Sequence, residues 1–466
     1  MDTAISISGQ VKHLYSRAAF GLSYPELQKL NGLSIQRVVA RLFEASEEFS
    51  DLQSAEGSSS VGRNGSRSGM SEQEKKDNMR QARQNVRQLN TTWIEKMATS
   101  PAQLREKLTL FWHGHFACRS TNAVFLQQLN NTHRRHALGN FRDLLLEVSR
   151  SPAMLQFLNN QQNRKGKPNE NFARELMELF TLGRGQYTES DIKEAARAFT
   201  GWGFNQRGEF QFRPFLHDEG QKTFFGLTGN FDGTDIIDRI LEKPEAAIFI
   251  ARKLYAFMVS DSIDETRVNE LGMHFFNSGY NISVLVKKML TSGWFYDPRL
   301  IGSKIKSPVE LLVGINRQFH VRYENPEVQL KLQSALGQVL FYPPNVAGWP
   351  GGKNWIDSSS LMVRLKIPSL LLNAGIIDFV TKSDIEDEAL IASNRFTQQV
   401  TDRLIRSRPS WEKFLGGLPK RMPVQDLAAF LLQPSVSGGS LVTLQNNQNL
   451  KAATIALLSL PEYQMC

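Results

Sequence analysis

The sequence predicts a mainly α protein, a large multi-helix body with one small β-hairpin near residues 208–227. Apolar residues recur at helical spacing through most of the 466 residues. Two cap-and-proline pairs, at 100–101 and 307–308, each restart a helix. The apolar period shortens to that of a strand only in GEFQFRPFLHDEGQKTFFG. These three observations predict helices throughout, with a single β insertion.

The first part of the chain divides into helices around one polar segment. Three short helices are predicted over residues 8–46, where Val38, Val39 and Leu42 share a face. Residues 52–71 are rich in Ser and Gly, and we expect a disordered loop there. Long helical patterns follow over 71–100, 101–120 and 122–148. The Ser/Gly-rich loop therefore separates a short helical group from a longer one.

A helix, a turn and a second helix are predicted over residues 168–203. Asn169 is a candidate N-cap of the first helix, and glycines follow that helix at 183 and 185. Thr188 and Asp191 form a capping pattern for the second helix. Further helices are predicted over 235–320 and from 367 to the last residue. Between them, GQVLFYPPNVAGWPGGKNWIDSSSLMVRL is predicted to be an ordered aromatic loop.

Size and charge limit the classes of protein that fit. The length allows two or three domains, and we expect one large helical domain over residues 1–466. The net charge is +9, but the basic clusters RRH and NRKGK are short and no nucleic-acid-binding motif is present. We therefore expect no specific nucleic-acid partner. Two cysteines, Cys118 and Cys466, make no disulfide framework.

The distribution of apolar residues predicts the cellular location of the protein. No stretch approaches eighteen consecutive apolar residues, so no membrane span is expected. The first residues, MDTAISISGQVKHLYSRAAFG, lack the basic and apolar regions of a signal peptide. A cytoplasmic location is the resulting prediction.

The first candidate site is FWHGHF, where His113 and His115 flank Gly114. Residues two apart on a regular helix point about 200° apart, so both histidines ligate one metal only if Gly114 ends or distorts the helix. The alternative is that each is a buried histidine satisfied by a hydrogen bond.

The second candidate site lies on the helix NENFARELMELF. Arg174, Glu175 and Glu178 share a face with Asn171, away from an apolar stripe. Two carboxylates one turn apart are suited to metal binding or acid/base chemistry. The alternative is a solvated face with an Arg174–Glu178 pair, which contributes only a few tenths of a kcal/mol.

The third candidate site is the tip of the predicted hairpin, with His217, Asp218 and Lys222. His217 is a candidate metal ligand, Asp218 would orient a histidine, and Lys222 would hold an anion. The alternative is ordinary turn chemistry in Asp218-Glu219-Gly220.

Together these residues suggest a metal-dependent enzyme, hydrolytic or oxidative, with its site between helices. His113, His115, Glu175, Glu178 and His217 would bind a divalent transition metal, with Arg174, Asp218 and Lys222 as catalytic residues. This hypothesis requires the three sequence blocks to converge in space.

The sequence also resembles a bacterial family catalogued as domain of unknown function 1800. The resemblance rests on HLYSRAAFG, FWHGHF, NENFARELMELFTLG with YTESDIKEAARAFTGW, FLHDEGQKTFFG, KIKSPVELL, PPNVAGWPGGKNWIDSSSLMVR and LLSLPEYQ, which span nearly the whole chain. It implies a largely helical protein, often exported and often encoded beside a protein that resembles sulfatases. It implies no catalytic residues.

A non-catalytic helical scaffold is the alternative function. Its partner would be a sulfatase-like protein, with Trp349 and Trp355 as a contact surface, since tryptophan is enriched at binding hot spots. The competing interpretation is that both rings pack the loop onto the helices.

Overall fold

The structure is a computed structural model that describes residues 7–53, 71–373, 406–434 and 449–466. Most of the predicted Ser/Gly-rich loop, residues 54–70, lies outside the described residues. Two parts of the predicted C-terminal helical region, 374–405 and 435–448, also lie outside them.

The described residues are mainly helical, as predicted. Their α-helices are α1 Ile7–Ala18, α2 Tyr24–Leu30, α3 Ile35–Glu44, α4 Glu72–Thr99, α5 Gln103–His115, α6 Ala123–His136, α7 Phe141–Arg150, α8 Pro152–Phe157, α9 Asn171–Glu175, α10 Glu189–Ala198, α11 Gly233–Leu241, α12 Pro244–Met258, α13 Glu265–Asn277, α14 Ile282–Thr291, α15 Pro308–Phe319, α16 Val328–Leu336, α17 Ser358–Asn373, α18 Trp411–Gly416, α19 Val424–Leu431 and α20 Leu450–Leu458.

Two small hairpins stand where one was predicted near 208–227. Strand β1 (Trp202–Phe204) pairs with β2 (Phe210–Phe212), and β3 (Lys222–Phe224) pairs with β4 (Leu227–Gly229). A 3₁₀ turn that begins at Pro214 separates them, because proline lacks the N–H that a continuing strand needs. A third pair joins β5 (Arg322–Tyr323) to β6 (Ser407–Arg408).

One large hydrophobic core draws on helices from both ends of the chain. Leu14 of α1, Phe141 of α7, Leu254 of α12 and Leu457 of α20 belong to this cluster and are fully buried. A smaller cluster forms around α4, α5 and α15, with Trp93 at its centre. The first and last helices therefore pack into the same interior, and this brings distant segments together.

Most of the predicted helix starts are confirmed. Ser23, Thr188 and Ser307 each form a reciprocal capping box with the acidic residue three positions later. At the 100–101 pair, α5 begins later than predicted, at Gln103, and the Ser100 hydroxyl accepts the N–H of Ala102.

The predicted amphipathic helix after Asn169 changes its winding part-way. Asn169 Oδ1 accepts the Asn171 N–H, but the N-cap of α9 is Glu170, one residue after the predicted cap. After α9, however, residues Leu176–Thr181 form a π-helix. The wider winding breaks the i, i+3, i+4 spacing on which the predicted polar face rested.

The aromatic loop 343–357 lies against the end of α5. Gly348 has a φ of +83°, and a Cβ built on it would lie 2.4 Å from the carbonyl oxygen of Gly114. Phe341, just before the loop, has a φ of +68°, and its N–H donates to His113 Nε2 over 3.1 Å. A bulky residue in this conformation stores strain, which the packed surroundings hold in place.

We expect Gly348→Ala to lower the free energy of unfolding by about 2–3 kcal/mol, because alanine disfavours positive φ and its methyl group would collide with backbone. Gly351→Ala is the matched control: its φ is −105° and nothing lies within 4 Å of a Cβ there. Urea denaturation of both variants tests this. Equal stability of the two variants would show that the close approach to Gly114 does not constrain the loop.

Candidate functional site

His113 lies inside the smaller core cluster. Its side chain is 3% exposed, and its ring centroid lies 5.0 Å from that of Trp93 and 5.4 Å from that of Trp349. Because Nε2 accepts the N–H of Phe341, the lone pair that would bind a metal is already engaged. Burial lowers the pKa of His113 to about 3, so the ring is neutral.

The His115 side chain points in a different direction from that of His113. Helix α5 continues through Gly114, so the two side chains diverge as helix geometry requires. His115 Nε2 lies 3.1 Å from the carbonyl oxygen of Phe180 in the π-helix, to which it donates. Burial, with a smaller contribution from Lys253, lowers the pKa of His115 to about 3. His115 therefore supplies a donor to a π-helix carbonyl.

The predicted carboxylate face is divided among separate ion pairs. Arg174 donates to both carboxylate oxygens of Glu189, each over 2.8 Å, and its predicted pair with Glu178 does not form. Glu178 instead accepts from Arg184 over 2.6 Å. Glu175 is half-buried, and burial together with the neighbouring Glu178 raises its pKa.

The residues of the third candidate site connect the hairpins to α10 and to the turn that follows it. Buried His217 donates from Nδ1 to the Thr200 carbonyl oxygen over 2.9 Å, and Asp218 accepts from Arg197 Nε over 2.8 Å. Lys222 is fully buried and donates to the carbonyl oxygen of Asp218 over 2.6 Å. The Asp218 carboxylate also accepts the N–H of Gly220 over 2.9 Å, which is a contact of the Asp218-Glu219-Gly220 turn.

The predicted ligands are therefore engaged in three separate environments. Among the residues that the structure describes, no group of three or more His, Cys, Asp or Glu side chains is placed to hold a metal ion. The metal hypothesis finds no ligand set in this part of the chain.

A different set of charged side chains does converge. A cavity of about 80 Å³ lies between α1, the start of α15, the end of α19 and the segment after α20. Four cationic side chains line it, and Glu310 is the one carboxylate among the lining residues that the structure describes. The cations are Lys12, Lys107, Lys306 and Arg317.

Glu310 already forms an ion pair with a cation of the lining. Lys107 Nζ forms an ion pair with Glu310 and also donates to the carbonyl oxygen of Ala19 over 3.1 Å. Burial opposes ionisation of Glu310, but Lys107 and Lys304 outweigh it and lower its pKa to about 2. One negative charge is thus fixed beside several positive ones.

Lys12 and Lys306 have no carboxylate of their own among the described residues. Lys12 Nζ donates to the carbonyl oxygens of Ala429 and Leu432, and Lys306 Nζ donates to the carbonyl oxygen of Tyr463 over 2.7 Å. Burial, and then repulsion from Lys306, lowers the pKa of Lys12 to about 8. Burial lowers the pKa of Lys306 to about 8 as well, although Cys466 and Glu310 oppose this shift more strongly than Lys107 and Arg364 support it.

Two buried arginines add further positive charge. Arg17 and Arg364 are 1% and 0% exposed, and each interacts electrostatically with Glu310. Arg17 donates to the Leu300 carbonyl oxygen over 2.6 Å, and Arg364 donates to that of Lys306 over 3.0 Å. Two guanidinium nitrogens of each arginine have no hydrogen-bond partner within the described ranges. This is unusual, since buried polar groups are nearly always bonded.

A family model described as "Protein of unknown function (DUF1800)" matches residues 13–465. The chain belongs to this family. No curated protein and no solved structure matches it. No helix in the described part of this DUF1800 chain is long and apolar enough to cross a membrane.

The cavity joins several of the blocks on which the resemblance to the DUF1800 family rested. HLYSRAAFG supplies Tyr15 and Ser16 to the lining, and KIKSPVELL supplies Lys306 and Glu310. The block ending in SSSLMVR supplies Arg364, which is outside the lining and interacts with Glu310. The last block supplies Tyr463, and residues 464–466 hydrogen-bond to residues 304 and 306 as a short bridge.

Sequence reasoning missed these residues because they come from separate segments that meet only in the fold. One local signal was available. Lys107 lies three residues after Leu104 and four before Phe111, both of which are buried. It therefore interrupts an apolar stripe, and an ionisable residue in such a position needs a buried partner.

Proposed function

We propose that this protein binds a small anion, or the anionic group of a larger ligand, in the cavity beside Lys12 and Lys306. The observation that supports the proposal most directly is the charge balance of the lining, four cations against one carboxylate. That carboxylate pairs with Lys107, and Arg317 pairs with Glu26 over 3.6 Å, so Lys12 and Lys306 are the lining cations without an ion pair among the described residues.

Energetics support an anion as the occupant. An ion that leaves water for a protein interior loses several kcal/mol of hydration unless it is paired. The low pKa of Lys12 and of Lys306 is a sign of this cost, because both burial and neighbouring cations favour the neutral amine. An anion in the cavity would offset the cost of burying the two charged amines and would raise the pKa of both.

The volume supports a ligand of few atoms. A water molecule needs about 10–15 Å³ of such space, so the cavity of about 80 Å³ accommodates roughly five to eight waters. Phosphate, sulfate and short carboxylates are of this size. A nucleotide or an oligosaccharide would have to extend beyond the cavity.

Inorganic phosphate is the probe for the test. Isothermal titration calorimetry at constant ionic strength, with chloride as the balancing anion, should detect binding to the wild-type protein. Lys12→Gln is expected to weaken that binding at least tenfold, equivalent to about 1.4 kcal/mol. Binding should also weaken as the pH rises from 7 to 9, because it favours the protonated amines and therefore takes up protons.

Lys353→Gln is the matched control, since Lys353 is exposed, lies outside the cavity lining and carries the same charge. It should bind phosphate as the wild type does. If wild-type protein releases no heat with phosphate, sulfate or acetate, or if both variants bind equally, the proposed site is not an anion site.

The hypotheses from the sequence stay predictions. A metal-dependent hydrolase or oxidase would need ligands other than the blocks that the described residues keep apart. A scaffold that binds a sulfatase-like partner would need a surface other than Trp355, which is 7% exposed, and Trp349, which packs on His113. Both cytoplasmic and exported locations are compatible with anion binding.

A further inference from the structure

Lys306 differs from the other amines of the cavity in its surroundings. Lys107 is paired with Glu310, and Lys12 is held by two backbone carbonyls. Lys306 has a single hydrogen bond, to the Tyr463 carbonyl oxygen, and its Nζ lies 3.8 Å from the centroid of the Tyr463 ring. The amine is thus held at the cavity wall by one acceptor and one aromatic face.

Burial beside other cations makes Lys306 a candidate nucleophile, whereas its contacts with Tyr463 favour the ammonium form. A lysine attacks carbonyl groups only as the neutral amine, and burial beside other cations is one way in which proteins obtain it near neutral pH. Lys12, Lys107 and Arg364 disfavour a charge on Lys306, whereas Cys466 and then Glu310 favour it. At pH 8, the pKa of about 8 leaves about half of this amine unprotonated.

We propose that Lys306 forms an imine with a short 2-oxo acid whose carboxylate occupies the anion site, an inference that rests on the proposed function. The Lys306 nitrogen bonds to the carbonyl carbon as the C=O π bond opens, and the nitrogen loses a proton while the oxygen gains one. The carbinolamine hydroxyl then takes up a proton and leaves as water, and the protonated imine remains. The amine, the carbonyl compound and one proton give the iminium and water, so no oxidant or reductant is needed.

The size of the cavity selects the class of substrate. Glyoxylate and pyruvate have five and six non-hydrogen atoms, in the range that about 80 Å³ accommodates. Each carries a carboxylate for the cations and an adjacent carbonyl for the amine. The carboxylate would also hold the carbonyl beside Lys306, and such positioning accelerates a bond-forming step.

Reductive trapping tests the inference. Full-length protein is incubated with glyoxylate and cyanoborohydride at pH 8, digested and mapped by mass spectrometry. We expect Lys306 to be carboxymethylated at a rate at least tenfold higher than that of the exposed Lys353. Excess phosphate should slow the labelling of Lys306 alone. Lys306→Arg should lose the fast-labelled site, while Lys353→Arg should keep it.

The two proposals can fail separately. If phosphate binds the wild-type protein but Lys306 is labelled no faster than Lys353, the imine is wrong and the anion site stands. If Lys306 is labelled quickly and phosphate does not slow it, the amine is reactive but the anion site is wrong. Labelling of Lys12 in preference to Lys306 would overturn the assignment of the nucleophile.

Discussion

We expect Glu106→Gln to lower the free energy of unfolding by about 3–5 kcal/mol, because it leaves a buried guanidinium without its counter-charge. Glu106 and Arg134 are both 0% exposed. Arg134 donates from Nε over 2.5 Å and from Nη2 over 3.0 Å to the two carboxylate oxygens. Trp93 Nε1 donates to the same carboxylate over 3.0 Å, so the substitution disturbs a third residue.

Urea denaturation measures this effect, and an exposed pair provides the matched control. Glu72 is 80% exposed and pairs with Lys75 within α4, so Glu72→Gln should change stability by less than about 0.5 kcal/mol. The double variant Glu106→Leu/Arg134→Met removes both charges and should recover most of the loss. A loss under about 1 kcal/mol for Glu106→Gln would show that water reaches the pair.

Local patterns predicted the parts of the fold that depend on neighbouring residues. The capping boxes at Ser23, Thr188 and Ser307 follow from residues three apart in the sequence, and the helices begin there. The strand signal was also local, and it was correct in kind. The predicted boundary of the hairpin was wrong because β2 pairs with the preceding strand, Trp202–Phe204, which lies outside the predicted segment.

The candidate site depended on contacts between distant residues, which spacing does not encode. His113 fits the buried alternative because Phe341, more than 200 residues later, supplies its N–H. Glu175 and Glu178 lost their predicted partner because the helix widens into a π-helix and Arg174 turns to Glu189. The cationic cavity could not be predicted, since its residues converge only when residues 464–466 pair with the segment just before α15.

Buried ionisable groups in this protein follow two opposite rules. Lys107 and Arg134 each form an ion pair with a buried carboxylate, whereas His113 has no such partner and is neutral because burial lowers its pKa. His133 is the extreme case, because it is fully buried and neither ring nitrogen has a hydrogen-bond partner within the described residues. Its pKa is lowered well below the ordinary value by burial and then by His113.

Acid is therefore expected to unfold this protein at a mild pH. Burial lowers the pKa of His13, His113 and His115 to about 3 and that of His133 well below its ordinary value, while each titrates near 6.5 in the unfolded chain. Below pH 6.5 the unfolded state thus binds more protons than the folded state, and stability falls as the pH falls. The three histidines with a pKa of about 3 give a slope of about 4 kcal/mol per pH unit, so about 8 kcal/mol is lost by pH 4.5. That loss is comparable with the whole stability of a typical domain.

Circular dichroism at pH values from 7.5 to 3.5 measures the transition, and His133→Phe tests its cause. Phenylalanine removes the titrating group and two unpartnered nitrogens while keeping an aromatic ring against Phe116, so the acid midpoint should move to lower pH. His274→Phe is the control, since His274 is exposed on α13 and should leave the midpoint unchanged. A midpoint that shifts equally in both variants would mean that buried histidines do not drive acid unfolding. Protonation of carboxylates such as Glu310, whose pKa is about 2, would in contrast act only at lower pH.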